Sequence, residues 1–187
     1  MIFLIDRIIR EIREAQSRGL YLSALALALT LPDTCGKAEY PHEKYTGNRY
    51  KDWCKNYVIT DRCDSPYGCD MPYLNEDVIY NLRNSLLHQS TPNVEQTKIK
   101  EERCRVDKFE LIISDTNTAN GDLSMVAYGK DMRIVRRELT IYISHLCYIL
   151  CTAAEQYYKN NQEKFGFIQY SIVDERSDQR FSQYKIK

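Results

Sequence analysis

The segment Leu20–Leu31 constrains the fold more than any other part of the chain. It is apolar on almost every side of a helix. At about twelve residues, it is well short of the roughly 20 that a membrane-spanning helix needs. A helix that is apolar all round has to be enclosed by other elements. The segment therefore predicts a helical bundle with this helix at its centre, ended or kinked at Pro32 and continued by a further turn or two.

Apolar residues recur at helical spacing in further segments. The predicted helices are a first one that stops at Gly19, then Asn48–Val58, Asn75–Gln89 and Met132–Tyr158. Asn75 is a typical helix N-cap, and the two acidic residues after it favour the positive end of a helix.

The period changes to that of a strand in two short segments. Asp107–Ser114 and Leu123–Tyr128 alternate and are separated by turn residues, which predicts a β-hairpin. A last strand is expected within Phe165–Val173. The fold class is therefore mainly α, a helical bundle with one small β-hairpin at about 107–128. We expect a helical domain over residues 1–160 and a C-terminal extension over 161–187.

Charge and cysteine content bear on partners and compartment. The 187 residues carry 26 basic and 26 acidic side chains, which argues against purely electrostatic wrapping of nucleic acid but allows a local basic patch. Seven cysteines form no C-x-x-C pair, and the first 19 residues mix acids and bases, unlike a signal peptide. We expect a protein of the reducing cytoplasm that does not enter a membrane.

One constellation suggests chemistry, in the helix predicted over Asn75–Gln89. Arg83 is followed at once by Asn84 and, five residues on, by His88. A histidine can move a proton near neutral pH, and an arginine can hold a phosphate and stabilise charge developing on it. These roles suit cleavage of a phosphodiester by the RNA 2′-hydroxyl, without a metal. The alternative is a chance spacing, with His88 placed to interact with the helix dipole.

Helix geometry adds a partner to this hypothesis. Five residues of helix rotate by roughly 500°, so Arg83 and His88 should point about 140° apart. Asn84 and His88 should share a face, so that Asn84 orients His88. A second copy related by a two-fold axis would complete a cleft with two arginines and two histidines, which predicts a homodimer.

The run Leu82-Arg83-Asn84-Ser85-Leu86-Leu87-His88-Gln89 resembles the signature of the HEPN superfamily. Those domains are helical and mostly dimeric, and many are metal-independent endoribonucleases of toxin–antitoxin, phage-defence or RNA-processing systems. The resemblance covers roughly residues 1–160. It implies that Arg83, Asn84 and His88 are catalytic, that RNA is the substrate, that no cofactor is needed, and that an antitoxin or regulatory protein is a possible partner. The predicted hairpin and the C-terminal extension depart from a minimal domain of this kind.

Two further residues are secondary candidates for substrate binding. Asp33 and Lys37 are four residues apart, so Lys37 can contact a phosphate while Asp33 orients it; the alternative is an exposed ion pair.

Other groups have simpler explanations. The basic residues at 98–108 and 130–137 are interleaved with acids, and Tyr45, Tyr50, Trp53 and Tyr57 can stack on bases or pack in a core. Cys147 and Cys151 have core spacing, and the loop with Cys63 and Cys69 lacks the usual zinc spacing, so no metal site is predicted.

Three functions remain open from the sequence. The first is a homodimeric, metal-independent endoribonuclease. The second is a non-catalytic RNA- or nucleotide-binding or protein-interaction module. The third is a structural helical dimer whose motif residues join the subunits. Burial separates them, because Arg83 and His88 at an open groove favour chemistry, whereas sealed side chains favour a structural role.

Overall fold

The computed structural model describes residues 4–59, 73–94, 99, 105–114 and 121–169. The helices are α1 (Leu4–Ser17), α2 (Tyr21–Ala28), α3 (Leu31–Glu39), α4 (Thr46–Trp53), α5 (Glu76–Gln89) and α6 (Ile143–Asn160). The strands are β1 (Lys108–Ile112), β2 (Asp122–Tyr128) and β3 (Ile134–Tyr142). A π-helical turn, Cys54–Val58, extends α4, and a 3-10 turn, Gln162–Phe165, follows α6. The prediction of a mainly α chain with a small β element is confirmed.

The apolar segment at 20–31 is divided between two helices. Pro32 lies in the first turn of α3, where its missing N–H leaves no helical hydrogen bond unmade. The predicted interruption of the helix near Pro32 and the helical turns after it are confirmed, but the interruption falls at residues 29–30, so Leu31 and the proline belong to the start of a nine-residue helix. The prediction that this segment is enclosed on all sides is only partly correct, because Leu20 and Leu22 are 54% and 51% exposed. The fully enclosed side chains of the segment are those of Ala24, Leu25, Ala28, Leu29 and Leu31.

The sheet differs from the predicted hairpin. Its strand order is β1-β3-β2, with β1 parallel and β2 antiparallel to β3. The two predicted strands exist but do not pair, since β3 lies between them. The hairpin is formed by β2 and β3, through a turn in which Met132 has a φ of 61°.

The error has a specific origin in residues 132–142, which were predicted as the start of the long helix. Leu139, Ile141 and Ile143 are buried in alternation, which is the period of a strand. The same residues also satisfy helical spacing with those of α6, so the boundary at Ile143 could not be read from periodicity. Helix α6 itself, which packs on α1, α2 and α3, agrees with the prediction.

The helices and the sheet share one core. Trp53 and Tyr50 of α4 are fully buried in it, together with Ile79 and Leu82 of α5. Phe165, beyond α6, is buried against Tyr157 and Tyr158. Residues 165–169 form no strand, and the rest of the predicted last strand and extension lies outside the described residues, as does the loop 60–72.

Among the described residues, no helix is both long enough and apolar enough to cross a membrane.

Candidate functional site

Helix α5 carries the Arg-Asn-His motif on its last two turns. Its start is set by Asn75, as predicted, because the side-chain oxygen accepts a hydrogen bond of 3.0 Å from the backbone N–H of Val78. The buried face is apolar apart from Asn81 and Ser85, and the helix ends at Gln89, with Ser90 in the left-handed conformation. The burial of one face fixes the motif at the edge of the helix that borders solvent.

Arg83 is held by a carboxylate from another helix. Both Nε and Nη2 of Arg83 donate to Oδ2 of Asp33 on α3, at 3.0 and 2.9 Å. Both side chains are largely covered, with 18% of Arg83 and 22% of Asp33 exposed. A paired guanidinium and carboxylate at this depth lose less of their attraction to solvent than a surface pair does. Asp33 therefore fixes the plane of the Arg83 guanidinium.

The other edge of the guanidinium faces the rest of the motif. Nη1 of Arg83 donates to Oδ1 of Asn84 and lies 2.9 Å from Nε2 of His88. Four of the five guanidinium N–H donors thus have partners within the chain. The four predicted residues Asp33, Arg83, Asn84 and His88 form one connected cluster, named the Arg83 cluster below.

The contact between Arg83 and His88 suits one tautomer of the ring. A guanidinium only donates hydrogen bonds, so the contact is a hydrogen bond in the tautomer of His88 that carries its proton on Nδ1 and accepts at Nε2. His88 is exposed. The cluster therefore presents a basic ring nitrogen beside a cation at the protein surface.

Two geometric expectations within the motif are wrong. Arg83 and His88 were expected to point apart, but the Arg83 side chain spans the rise of about 7.5 Å between them and brings the groups into contact. Asn84 was expected to orient His88, whereas its carbonyl oxygen accepts from Arg83. The direction of Cα–Cβ bonds does not limit a side chain as long as that of arginine.

Asp33 is electrostatically unusual. Burial raises the pKa of its carboxyl above the usual value, although the positive charge of Arg83 and its hydrogen bonds lower it, as does the charge of Arg49. Oδ1 of Asp33 is buried without a hydrogen-bond partner among the described residues. Such an unsatisfied oxygen costs free energy, so the site holds Asp33 at some expense of stability.

Lys37 lies away from the Arg83 cluster. Its Nζ is 4.5 Å from the centre of the Phe167 ring, and Asp33 pairs with Arg83 instead. The predicted pairing of Asp33 with Lys37 does not form, because Oδ2 of Asp33 accepts both hydrogen bonds from Arg83, 50 residues further along the chain.

The end of α3 forms a second polar cluster around Glu39. Its carboxylate accepts hydrogen bonds from the hydroxyls of Tyr57, at 3.0 Å, and Tyr157, at 2.7 Å, and from Nζ of Lys164. The Lys164 hydrogen bond is the main cause that lowers the Glu39 pKa. Burial and the bond to Glu39 raise the pKa of Tyr57 to about 12. We name these four residues the Glu39 cluster.

Most described residues of the aromatic and basic segments pack in the core or form ion pairs. Tyr50 and Trp53 are fully buried, and Tyr57 belongs to the Glu39 cluster, which leaves Tyr45 as the exposed member of the predicted stacking set. Of the second basic segment, Arg133 and Arg136 lie on the β2–β3 hairpin in ion pairs with acids. Most of the first basic segment lies outside the described residues.

The cysteines of the described part are thiols in the core. Cys35, Cys54, Cys147 and Cys151 are buried and free, and burial raises the pKa of Cys147 to about 12. Within the described residues, no group of three or more His, Cys, Asp or Glu side chains is arranged to hold a metal ion. Cys63 and Cys69 are outside the described ranges.

The pairing of Asp33 with Arg83 could not be found from the sequence. No local spacing signals a contact between α3 and α5, and the four-residue spacing to Lys37 pointed to a different partner. The one available signal was the position of an acid in the first turn of a helix that otherwise packs in the core.

No protein-family model matches the chain, and no curated protein or solved structure matches it.

Proposed function

We propose that the chain is a metal-independent endoribonuclease of the HEPN type, acting on RNA in the cytoplasm. The observation that carries the proposal is the contact between Nη1 of Arg83 and Nε2 of His88. It joins a cation that can bind a phosphate and a histidine nitrogen that can accept a proton, and these are the two groups that 2′-hydroxyl attack needs.

Substrate binding has a defined consequence in this cluster. A phosphate oxygen is a stronger acceptor for a guanidinium than an amide oxygen or a neutral ring nitrogen. The phosphate therefore replaces Asn84 and His88 on Nη1, while Asp33 keeps its hold on Nε and Nη2. The exchange frees the lone pair on Nε2 of His88 next to the bound phosphate.

The chemical step then runs without a metal. The 2′-oxygen forms a bond to phosphorus as its proton passes to Nε2 of His88, and the bond from phosphorus to the 5′-oxygen breaks. A protonated His88 of a second copy gives a proton to the leaving 5′-oxygen. The products are a 2′,3′-cyclic phosphate and a 5′-hydroxyl, and Arg83 stabilises the charge on the phosphoryl oxygens.

The division of acid and base between two histidines is the reason to propose a homodimer. The described residues contain His42, His88 and His145, and of these only His88 contacts Arg83. A nuclease of this kind fits toxin–antitoxin, phage-defence or RNA-processing systems, in which an antitoxin or regulatory protein restrains it.

Cleavage in excess chelator tests the proposal. Wild type should cut RNA, whereas His88→Ala and Arg83→Ala should each lose activity by about a hundredfold or more. His42→Ala is the matched control, because His42 is exposed and outside the Arg83 cluster, and it should cleave as wild type does. Activity that survives both motif substitutions, or that chelator removes, contradicts the mechanism.

One observation favours a non-catalytic alternative. The Arg83 cluster is nearly complete within a single chain, with four of five guanidinium donors already paired. An RNA- or nucleotide-binding or protein-interaction module needs no more than this. It predicts RNA binding without cleavage and tolerance of His88→Gln, which the nuclease does not tolerate.

A further inference from the structure

Helices α3 and α4 approach each other closely at one glycine. A Cβ atom on Gly36 would lie 2.7 Å from the backbone carbonyl oxygen of Arg49, so a larger residue at 36 requires the backbones to separate. Asp33 is three residues before Gly36 on α3, and residues three apart lie on the same helix face. The contact therefore places Arg49 beside the helix face that carries Asp33.

The neighbouring residue on α4 supports this placement. The hydroxyl of Tyr50 donates to the backbone oxygen of Leu29, and its ring packs on that of Tyr80 of α5. Burial raises the pKa of Tyr50 well above its usual value, and the charges of Asp33 and Arg83 act on it as well. This turn of α4 thus borders the Arg83 cluster.

The Arg49 side chain has unused donors. It is half-buried, and Nη2 donates to Oγ1 of Thr46 at 3.2 Å. Its Nε is buried without a hydrogen-bond partner and is closed to a ligand, whereas Nη1 has no partner among the described residues and is not one of the buried unsatisfied atoms. Nη1 is therefore the donor of Arg49 that a ligand can reach, and an arginine is well suited to a phosphate.

The charges at the site fit a second arginine. The opposite charges of Asp33 and Arg83 offset each other. Arg49 adds a positive charge beside this pair, which acts on Asp33 and also on Glu43, whose pKa is lowered mainly by the hydrogen bond from the backbone of Tyr45 and in part by the Arg49 charge. Without Arg49, the Asp33–Arg83 pair alone would offer a phosphate no net charge.

We infer that Arg49 is a second phosphate-binding residue of this site and that it contacts the RNA backbone together with Arg83. This inference rests on the proposed function. In it, Asp33 orients Arg83 for the scissile phosphate, and the positive charge of Arg49 offsets the repulsion between Asp33 and the strand.

RNA binding to a cleavage-deficient protein tests the inference. In the His88→Ala background, Arg49→Gln should weaken binding of a labelled RNA oligonucleotide by about tenfold, as expected for one charge-assisted hydrogen bond. The slope of log K against log salt should fall by about 0.7, the value for one phosphate contact on a single strand. Arg49→Lys should recover the salt slope, because it keeps the charge, but not the full affinity.

Arg18→Gln is the matched control for charge. Arg18 is exposed at the end of α1 in an ion pair with Glu14, and its variant should bind RNA with the affinity and salt slope of the background protein. Thermal unfolding of each variant establishes that it is folded. If folded Arg49→Gln matches Arg18→Gln in both quantities, the inference is wrong.

The outcome is separable from that of the proposed function. A protein that binds RNA through Arg49 but never cleaves it contradicts the nuclease and leaves the inference standing. A protein that cleaves through Arg83 and His88 with no effect of Arg49→Gln contradicts the inference alone. If wild type does not cleave RNA and the folded His88→Ala background does not bind it, both are contradicted.

Discussion

The two ends of helix α3 hold two carboxylates in contrasting surroundings. Glu39, at the C-terminal end, accepts from Tyr57, Tyr157 and Lys164, so that both of its oxygens have donors. Asp33, in the first turn, has two bonds on one oxygen and none on the other among the described residues. The pKa of Glu39 is lowered and that of Asp33 is raised.

The difference separates a cluster that joins structural elements from the cluster proposed to act on RNA. Glu39 links α3 to α6 and to the segment beyond it, and its carboxylate accepts a hydrogen bond from each of the three donors around it. Asp33 orients Arg83 toward an exposed histidine while its own burial opposes its ionisation. Sites that bind charged ligands commonly retain such unsatisfied groups, since the ligand completes them.

The largest expected effect is that of Arg83→Lys. Lysine keeps the charge but cannot donate to both Asp33 and a phosphate from one planar group. Cleavage of RNA should fall by about a hundredfold or more, measured as initial rates in chelator. A variant with near wild-type rates would show that only the charge at 83 matters and would break the contrast between the two clusters.

The next effect is that of Asp33→Asn, which tests Asp33 as a positioning residue. The amide can still accept from Arg83 but holds it less firmly, so kcat should fall by about tenfold. KM should not rise, because the substitution removes a negative charge beside the phosphate. A rise in KM with unchanged kcat would contradict the positioning role.

Glu39→Gln should affect stability alone. It removes the charge that Lys164 and the two tyrosine hydroxyls share, at a cost of about 1–2 kcal/mol, or roughly 4 °C in Tm. The RNA cleavage rate should stay at the wild-type value. Loss of cleavage in a protein that remains folded would show that the Glu39 cluster also contributes to activity and would contradict the contrast between the two clusters.

The smallest effect is a pH dependence of opposite sign at the two carboxylates. Because the Glu39 pKa is lowered in the folded protein, its contribution to stability is present above the usual value of 4.5 and is lost as pH falls through the folded pKa. Because the Asp33 pKa is raised, its contribution is present below the usual value of 3.8 and is lost as pH rises through the folded pKa.

Urea unfolding of the wild type and of each variant at several acidic pH values measures both contributions. On acidification the advantage of wild type over Glu39→Gln should shrink, while the stability of wild type relative to Asp33→Asn should rise. Equal slopes for the two differences would contradict the contrast.

The sequence was informative where a signal is local. The Asn75 cap, the span of α5 and the strand character of 108–112 and 122–128 all follow from spacing and turn residues. Residues 134–142 were misinterpreted because their pattern fits two structures, since Leu139 satisfies both the helical and the strand period. Only the pairing of β3 with β1 and β2 decides that residues 134–142 form a strand rather than the start of a helix. The helix break near Pro32 was placed a few residues too late, because a proline can end one helix or begin the next.

The candidate site shows the same limit. Spacing singled out Arg83, Asn84 and His88, which the structure brings into contact. Asp33 was also singled out, but its predicted partner was Lys37 and its actual partner is Arg83. The bond from Arg83 to Asp33 and the position of Arg49 depend on how α3, α4 and α5 pack, which no local pattern encodes.

The central claim is that the Arg83 cluster cleaves RNA by attack of the 2′-hydroxyl. Mass spectrometry of the products formed in excess chelator tests it most directly, with an RNA oligonucleotide and the 2′-deoxy oligonucleotide of the same sequence. The account predicts 2′,3′-cyclic phosphate and 5′-hydroxyl ends from the RNA and no cleavage of the 2′-deoxy strand. Cleavage of the 2′-deoxy strand, or 5′-phosphate ends from the RNA, would contradict it.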